Sequence, residues 1–374
     1  MHDLLIKNAA VFDGVRMRDE LCHVFVTDGL IEGIRKSGGR HNARQVINAS
    51  GAMLSHGFID LHTHIYPLAG LGIHPESAMF PFGVTGAADA GSAGCDTLRP
   101  AIPGIAGSRA DVKIFVNVSA AGLATLRGYP EYIDHATFDE SKLIRICRDY
   151  PDLVIGLKVR MGRETVRNLG LAPLEAAAKL ARKLRLRLMV HAANSDISMD
   201  EICGFLAEGD ILSHAFHKRG CCIIGEDGRV TPGVKAAYER GVIFDTATTS
   251  CFTSFEVLAA AEREGIRPHT ISSDLTDMGV FKPAAFCLPM IMSKMLAAGM
   301  TLEEVLRAST AAPGEITGIG GTLDEGARAD VVLFRVEERD YTVSDGDVTI
   351  PAKYLIRPQM TIKDGVTVWR DMTF

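Results

Sequence analysis

The chain of 374 residues carries no excess of positive charge: 40 lysines and arginines stand against 46 aspartates and glutamates, a formal net charge of −6. A nucleic-acid or anionic-membrane partner needs a basic surplus, so neither is expected. Long apolar runs are missing too. The most lipid-like window, residues 284–292, is too short to span a bilayer, contains Pro289 and meets Ser293 and Lys294 at once. The opening Met1-His2-Asp3 has neither the basic segment nor the apolar stretch of a leader, which sets the expectation of a soluble, cytoplasmic protein. No C-x-x-C pair occurs among the eight cysteines, and the adjacent Cys221 and Cys222 suit neither zinc chelation nor an easy disulfide. Free thiols are expected. No G-x-S-x-G or S-x-x-K string is present, so no serine nucleophile stands in a familiar setting. A dinucleotide-binding sheet would need a glycine-rich turn after its first strand; Gly318-Ile319-Gly320-Gly321 follows no strand.

What the sequence does contain is a core-forming composition, 47% hydrophobic and 23% charged, which is ordinary for a globular protein. The first fifty or so residues read as short β segments at 3–8, 24–26, 30–34 and 45–48, divided by turns such as Asp28-Gly29. Residues 330–334, 355–357 and 361–369 have the same character. The two ends are expected to pair into one discontinuous β-sandwich domain, residues 1–55 with 320–374, because neither alone buries a core. Between them, apolar strands alternate with amphipathic helices. The strand candidates are 57–65, 84–90, 112–119, 153–160, 186–192, 210–215, 242–247 and 270–275, with helices at 171–184, 199–207, 255–264 and 284–298. Eight buried parallel strands in α/β order predict a TIM-like (β/α)8 barrel over residues 56–319. The run Arg182 to Arg187 reads as a solvated helix end, where cations suit the dipole.

Twelve histidines mean little until their positions are read. His62 and His64 are two apart at the end of the first barrel strand, so both imidazoles project to one face. Strand five ends at His191, strand six at His214 and strand eight at Asp274, while strand four carries Lys158. Each has an ordinary alternative: a strand-end histidine can be a hydrogen-bonded structural group, and a strand-end aspartate can cap the next helix. Together they occupy the C-terminal strand ends, where barrel active sites lie, and a metal centre is the better reading. Arg160, two residues after Lys158, shares its inward face. It would either pair with a neighbouring acid or hold a substrate carboxylate. Arg163 and Arg167, in the loop beyond, read as solvated.

At this point the chain resembles the amidohydrolase superfamily over nearly its whole length. Gly57-Phe-Ile-Asp-Leu-His-Thr-His64 is similar to that superfamily's first-strand metal motif, with His56 where a proline is common. Residues 321–334 resemble its return into the sandwich domain. The set His62, His64, Lys158, His191, His214 and Asp274 is similar to the binuclear subtype. The resemblance implies two divalent ions, zinc given the nitrogen and oxygen ligands, with Lys158 carboxylated by CO₂ to a bridging carbamate. A buried lysine tends to lose its proton, and only the neutral amine reacts with CO₂. Asp274 is then implied to be the proton carrier, and a metal-bridging hydroxide the nucleophile.

More narrowly, Asp89-Ala-Gly-Ser-Ala-Gly94, Asn117-Val-Ser119 with Gly122-Leu123, and residues 271–275 resemble the branch of deacetylases and dihydroorotase-like proteins. That implies hydrolysis of an amide or ester bond in a small, anionic, carboxylate-bearing molecule, with a homo-oligomer as the assembly; Arg160, from its place on the strand, is the candidate for binding that carboxylate. Two departures stand out: Ile65-Tyr66-Pro67 lacks the arginine of true dihydroorotases, and residues 246–251 replace a loop that relatives build with glycine and histidine. The alternatives are a cyclic-amide hydrolase of the dihydroorotase or hydantoinase kind, an aminohydrolase, or a metal-free binding homologue. Against the aminohydrolase, His191 is followed by Ala-Ala-Asn-Ser with no glutamate.

Overall fold

A computed structural model describes residues 1–65, 71–128, 131, 133–249, 252–280 and 287–374. The N-terminal segment supplies β1 (His2–Val11), β2 (Cys22–Thr27), β3 (Leu30–Lys36), β4 (Ala43–Asn48) and β5 (Met53–His56). Then come β6 (Phe58–Thr63), β7 (Val84–Gly94), β8 (Asp111–Asn117), β9 (Val154–Arg160), β10 (Arg187–His191), β11 (Ile211–Ser213) and β12 (Ile243–Asp245). The chain ends with β13 (Val331–Ser344), β14 (Thr349–Lys363) and β15 (Val366–Arg370).

Both ends of the chain build one sheet, in the order β15-β14-β13-β5-β1-β2-β3 with β4 alongside β1. Val331 pairs with His56 and Phe334 with Met53, so the returning chain docks on the strand that leads into the barrel. Leu4, Ile6, Val24, Leu54, Val331 and Leu333 form its core. The C-terminal strands are longer than the sequence suggests. The expected segments 330–334 and 355–357 extend through the charged residues beyond Phe334, where β13 and β14 continue as a paired hairpin. Tertiary packing holds it: Ala352 and Ile356 are buried, and the Ile356 N–H donates to Ser293 Oγ at 2.9 Å in the helix Leu288–Ala297.

The second sheet runs β6 to β12 in sequence order, all parallel. Residues 270–275, read as an eighth strand, make only isolated parallel bridges, Thr270 to Asp245 and Leu275 to Thr63. They still close the ring between β12 and β6, because Asp274 N–H donates to His62 O at 2.7 Å and His64 N–H to Leu275 O at 2.9 Å. Asp274 has φ of 48°, in the left-handed region, which interrupts any regular strand there. The barrel of the expected fold class is therefore present, with an irregular last stave.

Between β9 and β10, the helix Ala172–Leu184 buries Leu174, Ala177, Ala178 and Ala181 on one face. Pro173 sits in its first turn, where no N–H is missed, and Arg185 ends it with φ of 56°. The basic run at this end is not simply solvated. Arg182 forms an ion pair with buried Asp210, and Arg187 Nη1 donates to Gly209 O at 2.8 Å. The other helices, Met199–Gly204, Phe255–Glu262 and Leu288–Ala297, are shorter than read, and residues 284–286 of the last lie outside the described residues. Among the described residues no helix is long and apolar enough to cross a membrane, and the cysteines are unpaired.

Candidate metal centre

Six side chains singled out from the sequence converge at the C-terminal ends of the barrel strands. His62, His64, Lys158, Arg160, His191 and Asp274 line one cavity of about 220 Å³, together with Leu71, Leu123, Leu126, Phe252 and Met278. His214 lies directly behind it, its ring 4.3 Å from that of His191 and 5.0 Å from that of His62. Parallel strands explain the convergence, since every β6–β12 strand points its C-terminal end to the same rim. Opposite register partners tie the site together: Asn117 faces Lys158, and Arg160 faces His191.

Asp274 Oδ1 lies 3.3 Å from His62 Nε2 and 3.1 Å from His64 Nε2. These three offer ligand atoms within 4.8 Å of one another, close enough to share one cation. The second nitrogen of each ring is already engaged. His62 Nδ1 is hydrogen-bonded to Ser213 Oγ at 2.6 Å and His64 Nδ1 to Ser92 Oγ at 2.8 Å. Ser92 in turn donates to Asp89 Oδ2 at 2.7 Å. His214 Nδ1 donates to Ala247 O at 2.8 Å, so its Nε2 carries the lone pair; that atom is buried without a hydrogen-bond partner among the described residues. Outer contacts of this kind orient metal-binding imidazoles.

Lys158 is 1% exposed, and its Nζ has no hydrogen-bond partner among the described residues. Burial drives the ammonium down to about 7, with the Asp274 charge opposing the shift and Arg160 adding to it. Burial also pushes His62 down to about 3, helped by the Lys158 charge, and holds His191 and His214 well below the ordinary histidine range. Asp274 goes the other way. Burial alone would raise it, but His62 and His64 hold its carboxyl well below the usual carboxylate range. The result is a buried carboxylate beside an easily neutralised amine, with His62, His191 and His214 kept neutral. The donor set of His62, His64 and Asp274, with the buried Lys158 Nζ and His214 Nε2 beside it, fits the binding of a divalent cation.

Arg160 is paired: its Nη1 lies 3.1 Å from Glu131 Oε2. Glu131 is 3% exposed, and its Oε1 accepts from Asn117 Nδ2 at 2.6 Å. The guanidinium nevertheless lines the cavity. Reading the sequence did not single out Glu131, Ser213 or Phe252 as site residues. Ser213 immediately precedes His214, which is a signal that could have been used; Glu131 has none. Phe252 covers the site from the loop after β12, its ring 4.8 Å from that of His214 and 5.6 Å from that of His191. Of the two sequence departures noted, Tyr66-Pro67 and the end of the 246–251 loop, residues 250–251, lie outside the described residues.

The sequence profile of the amidohydrolase family matches residues 53–368. The chain is 31% identical over 326 residues to a deacetylase of Agrobacterium fabrum, covering 85% of this chain and 79% of that protein. Among solved structures, an adenine deaminase superposes with a TM-score of 0.91 at 27% identity, over 99% of this chain and 100% of that one. A dihydroorotase gives 0.89 at 27% identity, with 99% and 98% covered.

Proposed function

The chain belongs to the amidohydrolase family, and on that premise we propose that it is a binuclear zinc hydrolase releasing an acyl group from a small carboxylate-bearing molecule. The observation that carries this reading is Lys158: a fully buried amine without a hydrogen-bond partner among the described residues, beside two pairs of imidazoles and one carboxylate. His62, His64 and Asp274 would hold one ion, and His191 with His214 the other. Lys158, as a CO₂-derived carbamate, would be shared between them. Divalent ions held there would polarise the scissile carbonyl and ionise a water near neutral pH.

The chain's own residues do the rest. Asp274, with its carboxylate held ionised, takes a proton at Oδ1 or Oδ2 and passes it to the leaving amine or alcohol. Ser213 and Ser92 keep the Nε2 atoms of His62 and His64 turned inward. Leu71, Leu123, Leu126 and Phe252 line the cavity with apolar surface that excludes bulk water. Arg160 is the residue for the substrate carboxylate, since its fork has donors beyond the one given to Glu131.

The deacetylase likeness supports an acyl substrate. Similarity to a dihydroorotase favours one second reading, a cyclic amide opened by the same chemistry. Residues 56–319 form the catalytic barrel in this proposal, and residues 1–55 with 320–374 the companion domain. The described cysteines, which are unpaired, fit a reducing cytoplasm, while homo-oligomeric assembly rests on the family resemblance alone. The test is a screen of zinc-loaded protein against N-acetyl and O-acetyl carboxylic acids, with cyclic amides and aminopurines alongside. Acetate release at about two zinc per chain is expected. Ammonia release as the sole activity, or full activity with less than one metal per chain, overturns the proposal.

A further inference from the structure

We propose that Asp345, at the tip of the β13–β14 hairpin, is a positioning residue for the cavity: it holds the helix that follows Phe252, and so keeps that ring over His191 and His214. Asp345 belongs to the sheet built from the chain ends, yet it is only 6% exposed. Its Oδ1 accepts from the N–H groups of Asp347 and Val348 at 2.9 and 2.7 Å, closing the hairpin turn. Its Oδ2 reaches out of the turn and accepts from the Phe255 N–H at 2.9 Å, 90 residues away in sequence.

Phe255 is the first residue of the helix Phe255–Glu262. Its N–H has no intrahelical acceptor, and a carboxylate suits that end of the dipole. Ser254 caps the same end through Val257 N, and its own N–H donates to Phe216 O at 2.8 Å. Lys218 adds a second strap between the same parts, with Glu256 Oε2 at 3.3 Å and Asp347 Oδ2 at 3.5 Å. Phe252 stands three residues before Phe255, and Thr253 between them is bonded to Thr248 at 2.8 Å. The position of the wall residue is thus fixed at its C-terminal side by a carboxylate from the other sheet. Movement of that helix end would open the apolar face of the cavity without touching a candidate metal ligand.

The kinetic part rests on the hydrolase reading above; the structural part does not. Asp345→Asn breaks the contact and keeps the turn, although it also removes the charge that faces Lys294. Its amide oxygen retains the two bonds within the turn, and its amide nitrogen cannot accept from Phe255 N–H. By hydrogen exchange, amides 252–258 should exchange about fivefold or more faster in Asp345→Asn, while those of β9 and β10 stay unchanged. Metal content should also be unchanged. With the acetylated acid that the wild type hydrolyses best, KM should rise about fivefold at nearly constant kcat. In a Phe252→Ala background, Asp345→Asn should add no further rise in KM. Unchanged exchange at 252–258 overturns the proposal, as does a KM effect that multiplies with that of Phe252→Ala. A wild type that hydrolyses no substrate in the screen refutes the hydrolase reading instead, and the exchange arm still decides the role of Asp345.

Discussion

A β-carbon on Gly91 would lie 2.6 Å from Cγ of Lys158, so the lysine stem passes over bare backbone. Gly91 also has φ of 87°, where an L side chain is strained. The sequence Ala90-Gly91-Ser92 therefore does two jobs, clearing room for Lys158 and presenting Ser92 to His64.

Gly91→Ala should displace Lys158 and destabilise the fold by about 1–3 kcal/mol. Elemental analysis and thermal melting check this together. A variant with wild-type metal content and melting temperature would show that Lys158 does not depend on that gap.

Lys158→Ala should purify with little metal and little activity. Added acetate, a short carboxylate that can enter the vacated space, should restore part of both. Full activity without acetate would remove the carbamate from the proposal.

For Asp274→Asn, the expectation is at least one metal per chain and turnover lower by about 100-fold or more, because the proposed proton carrier is gone. Parallel metal and rate measurements decide. Complete metal loss would make Asp274 a ligand first and a proton carrier second.

Arg160→Met alone would strand Glu131, a buried carboxylate, and such stranding costs several kcal/mol. The informative variant is Arg160→Met combined with Glu131→Gln. If Arg160 binds the substrate carboxylate, this pair should raise KM for acidic substrates about tenfold and leave neutral esters nearly untouched. Equal losses on both substrate classes would assign Arg160 to holding the site together.

Lys294, on the helix under the hairpin, gives a pH test away from the candidate metal centre. It is 2% exposed, and its Nζ has no hydrogen-bond partner among the described residues. Burial pulls it from the ordinary 10.5 to about 8, with Asp345 opposing the shift. Between those values the unfolded chain binds a proton that the folded chain does not, so stability rises with pH. Below about 8 the full cost, ~3 kcal/mol, is present. Lys294→Met should therefore raise the melting temperature clearly at pH 7 and much less near pH 10.5. An equal gain at both values would contradict the burial argument.

The candidate centre was legible because strand periodicity is local. His62 and His64 share a face whatever the rest of the chain does, and His191, His214 and Asp274 each close an apolar segment that reads as a buried strand. Parallel strands then carry all of them to one rim, which made the barrel and its site readable together. What supports the centre was not legible. Ser213 meets His62 across 151 residues, and Glu131 meets Arg160 from a stretch of sequence with no periodic signal. The left-handed backbone at Asp274 and His214, with φ of 48° and 57°, likewise has no mark in the local sequence. Residue spacing along a strand determined which side chains could face the cavity. Only the closing of the ring, which brings distant hydroxyls, carboxylates and bare glycine backbone against them, decided how each is held, because those contacts exist only once the strands are side by side.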